Sequence, residues 1–337
     1  MPGTDSILLD EISLLLVWTA VAIYVLAFIA FAIDLARRSD LAVKAKDEVV
    51  ARELVTAGGG GVIAAGPSGA ASGSADTARP RYVWARIGTA LTVMGLVFHV
   101  AADVLRGVAA GRVPWSNMYE FALTGVMLVV AVFLAVLTRY DLRFLGAFIT
   151  GLAVVLLGGA TLAFHVEVSP LADPLKSVWL VIHVFVASLA TALFALAFGL
   201  SVVQLMQSRR ERKLVGAADD ARVRRSFLRT LPAADALESL AYRFAIVGFI
   251  FWTFTLIAGS IWANDAWGRF WGFDTKEVWT FVIWVLYAGY IHARATRGWR
   301  GTRSAWLSII GFTAVLFNFT IVNVFFKGLH AYSGLTT

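Results

Sequence analysis

Residues 262–279 read "WANDAWGRFWGFDTKEVW" and lie between two long apolar runs. Four tryptophans and five charged residues share these eighteen positions. An aqueous loop has no use for so many indoles, and one or two tryptophans per helix end suffice to anchor a membrane helix. The stretch therefore reads as a structured turn at a membrane surface. Gly268 and Gly272 let its backbone bend and approach a ligand closely. Asp274 and Glu277 have the spacing of a capping box that opens the next helix. Trp262, Trp267 and Trp271 present flat apolar faces, and Arg269 and Lys276 offer cations.

Outward from this turn the sequence is a membrane protein. It is 59% hydrophobic and 15% charged, with mean hydropathy +0.76. Segments of roughly 20 apolar residues span the hydrocarbon core as helices. Eight qualify, at about 12–34, 84–105, 119–138, 144–164, 179–206, 243–263, 278–296 and 304–326. The expected fold is all-α, polytopic, with about eight transmembrane helices. The first run is too long for a signal-peptide core and reads as a retained span. Lys and Arg concentrate in 35–83, 139–143, 207–242 and 294–303, which places those segments in the cytoplasm and both termini outside. This asymmetry explains the net charge of +7. Lipid head groups, not nucleic acid, are the partner it implies.

Three regions follow. Residues 1–40 carry the first transmembrane helix. Residues 41–83 form a cytoplasmic low-complexity linker, Gly/Ala/Ser-rich at 57–78. Residues 84–337 hold the remaining spans and the turn at 262–279. There is no cysteine. Any thiol chemistry at this protein must use another protein's thiols.

The chain has five histidines: His99, His165, His183, His292 and His330. His183 lies about one turn inside its span and His330 just beyond the last one, so they flank the Trp-rich turn from both sides. Two neutral imidazoles converging on a flat aromatic floor suit a six-coordinate haem iron. A small transition metal would call for a compact His/Asp cluster instead. His292 falls toward the cytoplasmic half, with Val285, Ala288 and Gly289 on its face, which leaves room for a second helix or a macrocycle. His99 and His165 read as interhelical and interfacial.

"WGRFWGFDTKEVWTFVIWVLYAGYIHAR" (267–294) resembles the WWD signature of the haem-handling CcsA/CcmC/CcmF family, and most closely its CcsA (ResC) type from system II cytochrome c maturation. "PWSNMYE" (114–120), "LKSVWLVIHV" (175–184) and "NFTIVNVFFKGLHAY" (318–332) extend the resemblance from about residue 84 to the end. The resemblance implies that His183 and His330 are axial ligands of haem b held over Trp267, Trp271 and Phe273. It implies that His292 receives haem from the cytoplasmic side, its second ligand coming from a CcsB/ResB-type partner. Phe273 stands where the family has Trp, and Thr275 where it has Pro. The implied function is transport of haem across the plasma membrane and its presentation, on the extracytoplasmic face, to an apocytochrome c. The chain would then be the haem-handling subunit of a cytochrome c synthase, served indirectly by a thioredoxin-like thiol reductant. Arg269 and Lys276 would balance propionate charge, and Asp274 would polarise the site or cap its helix. A cytochrome b-type electron carrier and an amphipathic small-molecule transporter are the alternatives that the residues leave open.

Overall fold

A computed structural model describes residues 4–58, 82–168, 175–215, 226–326 and 328–329, without side-chain detail for 39–58 and 215. His330 and most of the Gly-rich linker lie outside the described residues. All regular structure among these residues is helical: α1 (Thr4–Gly58), α2 (Val83–Ala110), α3 (Met118–Leu137), α4 (Gly146–Phe164), α5 (Val178–Val215), α6 (Ala234–Trp267), α7 (Thr275–Thr296) and α8 (Thr302–Phe317). A π-helical turn, Asn318–Val322, and a short α9, Asn323–Phe325, continue α8.

Among the described residues, seven helical segments are long and apolar enough to cross a membrane. The eighth expected span, α7, has 22 residues. At 1.5 Å per residue it is also long enough, but its polar and charged positions keep it out of the apolar set. The helices overrun the apolar windows that the sequence marks. α1 passes the boundary expected at residue 40, α5 continues to Val215, and α6 begins at Ala234. Hydropathy registers only the lipid-embedded part. The flanking polar residues 41–55 and 207–214 contain no Gly or Pro, so nothing stops the helix there.

α1 packs along α2 and α4, α5 pairs with α6, and α3 and α8 close against α5. Lipid tails are as apolar as leucine, so close packing has to supply the attraction between helices. Aromatics seated on glycines provide it. A Cβ on Gly95 would come within 2.6 Å of the Tyr24 ring, one on Gly248 within 2.7 Å of Phe194, and one on Gly311 within 2.9 Å of Tyr287. Phe194 and Tyr287 stack at 3.6 Å, joining α5 to α7 in the main core.

Polar clusters close both ends of the bundle. At the end away from the Trp-rich turn, buried Glu238 accepts from Arg294 Nε at 3.1 Å and from the Gly301 amide at 2.6 Å. At the Trp-rich end Arg106, fully buried, bridges four segments. It donates to Asp10 (2.5 Å), Glu120 (3.1 Å) and the Val166 carbonyl (2.8 Å). Arg112 adds a 2.6 Å bond to Glu120.

Candidate functional site at the tryptophan-rich end

α6 runs through Trp267 and stops at Gly268, which takes φ 69°. The stretch expected as one loop over 262–279 is therefore a seven-residue turn, 268–274, between two helices. Trp262 and Trp267 belong to the last turns of α6. Trp262, read from sequence as one aromatic face among several, is only 2% exposed and stacks on His183 at 5.9 Å and 22°. Trp267 meets Trp262 edge-on at 4.8 Å. Gly259 and Trp262 lie three apart, on one face of α6, but nothing in the sequence matches that face to His183 on α5.

His183 sits on α5 and reaches across to α6. Its Nδ1 lies 2.9 Å from the Thr255 carbonyl. A carbonyl only accepts, so Nδ1 carries the proton and Nε2 is the ring's acceptor nitrogen. Gly259, one turn beyond Thr255, makes the approach feasible: its Cβ would stand 2.6 Å from His183 Cε1. Three cavities meet at this ring. The largest spans about 940 Å³, open solvent included, between α3, α4, α5, α6, α7 and α8. The second lies under Phe270 and Trp271, and the third under Trp115 and Trp262. His183 and Lys276 line all three.

The turn that covers them is held by acidic residues. Asp274 and Glu277 form the expected capping box, with the Asp274 amide donating to Glu277 at 3.1 Å. Glu277 also accepts from the Gly272 amide at 2.8 Å and pairs with Arg269 at 3.4 Å. Arg269 lies so close to Gly272 that any Cβ there would overlap its guanidinium. It also lies over the Trp267 ring. Asp274 Oδ1 accepts from the Leu329 amide at 3.1 Å, which ties the residue before His330 to the turn.

The expected floor of Trp267, Trp271 and Phe273 is divided. Trp271 lines a cavity with His183. Trp267 supports Trp262. Phe273 is 79% exposed at φ 57°, a conformation costly to a residue with a bulky side chain, and meets Trp271 edge-on at 6.2 Å.

The other histidines stand apart. His292 is exposed near the far end of α7. His99 is buried between α1 and α2, 3.3 Å from the Tyr24 hydroxyl. His165 caps the end of α4, edge-on to Tyr119 at 4.8 Å. Burial first, and then the nearby Arg106 cation, hold its pKa below the usual histidine value. Among the described residues no group of three His, Cys, Asp or Glu side chains could hold a bare metal ion.

Membrane-crossing helices, closed at one end by an aromatic turn over a histidine and a lysine, define the class: a polytopic membrane protein with its polar site at one end of the bundle. The family described as Cytochrome C assembly protein matches residues 115–330. Cytochrome c biogenesis protein CcsA of Guillardia theta is 32% identical over 263 residues, covering 74% of this chain and 86% of that one. The CcsA of Synechococcus elongatus is 33% identical over 282 residues, covering 73% and 87%. The solved structure of Cytochrome c Heme Lyase CcmF shares the fold, with TM-score 0.59 over 95% of this chain at 15% identity; this chain spans 47% of its length. The chain belongs to the cytochrome c assembly family, as a CcsA-type protein of cytochrome c maturation.

Proposed function

We propose that this chain takes haem b as its cargo, moves it across the plasma membrane, and presents it beneath the Trp-rich turn to an apocytochrome c. The observation that carries the reading is the 2.9 Å contact of His183 Nδ1 with the Thr255 carbonyl. Histidines that ligate metal donate their other N–H to a carbonyl or carboxylate, which sets the ring and leaves a basic nitrogen for the iron. His183 does this toward Thr255, against Trp262, where three cavities meet. His330, outside the described residues, is proposed as the second ligand; its sequence neighbour Leu329 donates its amide to Asp274 in the turn. Asp274 thus acts as cap and tether. Trp271 and Phe273 offer apolar faces to the porphyrin, and Arg269 and Glu277 hold the turn that carries them.

The Lys and Arg asymmetry puts this end on the extracytoplasmic face. There each thiol of a Cys-x-x-Cys-His segment adds across a vinyl C=C. A C–S bond forms at one vinyl carbon and the thiol hydrogen goes to the other, so no electron is gained or lost. The thiols must arrive reduced, and a chain without cysteine leaves that task to a thioredoxin-like protein. The site contributes proximity and orientation. His292, exposed on α7, receives haem on the cytoplasmic side together with a CcsB/ResB-type partner, and the complex is a cytochrome c synthase.

The test is His183→Ala combined with His330→Ala in the purified complex. The bound-haem absorption spectrum and the yield of holocytochrome should both be lost. If both are unchanged, the reading is wrong.

A further inference from the structure

Of the cations on the turn and the first residues of α7, Arg269 is engaged within the turn. It pairs with Glu277, lies over Trp267, and is pressed against Gly272. Lys276 is placed differently. It lines the same three cavities as His183. Its ammonium donates to the Asn323 side-chain oxygen, a neutral acceptor. Its charged neighbour is Asp274, whose carboxylate caps α7 and holds the Leu329 amide.

A second group points to the same ligand. Trp115 Nε1 is shut off from solvent and has no hydrogen-bond partner among the described residues. Trp115 lines the third cavity together with His183 and Lys276; Lys276 is the charged side chain of a wall that also holds Asn117 and Asn323 and is otherwise apolar, with Met118, Phe121 and Leu175. A buried N–H left unpaired is costly. A carboxylate would accept from the indole and meet the ammonium at once, in a charge-assisted pair.

We propose that Lys276 and Trp115 form the carboxylate subsite of this chamber. Resting on the reading of haem as cargo, the subsite takes the propionates. The vinyl groups lie on the opposite edge of the porphyrin, so propionates anchored here leave the vinyls toward the opening, where the thiols arrive. Lys276 thereby fixes which edge of the ring reacts.

The test compares two probes on the purified complex, haem and haem dimethyl ester, whose propionates are masked. The wild-type complex should hold haem about tenfold or more tighter than the diester. Lys276→Met should bring that ratio to within about twofold, Trp115→Phe should lower it in part, and Lys276→Arg should preserve it. Each ratio is taken within one protein, so a general loss of folding moves both probes together. An unchanged ratio in both Lys276→Met and Trp115→Phe overturns the subsite. A ratio that collapses in Arg269→Gln instead also overturns it. His183→Ala should weaken both probes alike; if it weakens neither, the haem reading itself fails.

Discussion

A Cβ on Gly259 would lie 2.6 Å from Cε1 and 2.7 Å from Nδ1 of His183. Ring and methyl cannot share that space, and a backbone-anchored helix gives way less easily than a side chain. Gly259→Ala should therefore turn His183 off the Thr255 carbonyl. The helix itself should not suffer, since alanine is the better helix former by up to about 1 kcal/mol. The expected outcome is an unchanged melting temperature with bound haem reduced about tenfold or more. A variant that keeps its haem spectrum would show that Nδ1 needs no fixed partner. At this scale the sequence was partly legible. Asp274 and Glu277 announced their capping box by spacing alone. The stacking of Trp262 on His183 was not announced, because it joins residues 79 positions apart through a contact between α5 and α6. The left-handed backbone of Phe273 was hidden as well, since aromatic residues rarely adopt it.

The helix pattern was legible wherever apolar length decides it, and the polar clusters at the bundle ends were not. Nothing in "RGVAAGRVPWSNMYEF" says that Arg106 is fully buried. It becomes so because α1, α2, α3 and the segment after α4 converge on it, which is a property of the assembly of elements. Glu120 accepts from Arg106, Arg112 and the Ser116 amide, and its own amide bonds the Asn117 cap of α3. The cluster thus holds the start of α3 and, with it, Trp115. Arg106→Ala would take the guanidinium from Asp10 and the Val166 carbonyl and leave Glu120 to Arg112 and Ser116, and breaking a buried pair from one side costs about 3–5 kcal/mol. Unfolding in detergent should show a loss of that size. Arg106→Lys should recover only part of it, because an ammonium cannot fork toward Asp10, Glu120 and the Val166 carbonyl together. A loss below about 1 kcal/mol would mean that water already solvates the cluster.

Across the whole molecule, successive helices alternate direction, so residues far apart in sequence meet at one end. Ser177 reaches Asp265, Leu329 reaches Asp274, and Asp10 reaches Arg106 at the Trp-rich end. Alternation follows because each membrane-length helix carries the chain to the opposite surface, and for that reason the grouping of loops could be read from sequence before any contact was known. What such reading misses is which helix faces remain open. On α7, Val278, Phe281, Val285, Gly289 and His292 are all exposed, at helical spacing along one side, and a Cβ on Gly289 would meet nothing within 4 Å. Lipid alone can cover Val and Phe. The presence of a histidine and a glycine notch on that stripe suits a second helix packed closely enough to add a ligand beside His292. Gly289→Leu separates the two situations. Against lipid, the substitution adds an apolar side chain to open space and should alter the stability of the isolated chain by less than about 0.5 kcal/mol. Against a packed partner helix it fills the notch. Co-purification with a CcsB/ResB-type protein should then fall sharply, and holocytochrome yield with it, while the isolated chain melts as before. Undiminished co-purification would move the partner to another face of the bundle and leave His292 without a ligand from that side.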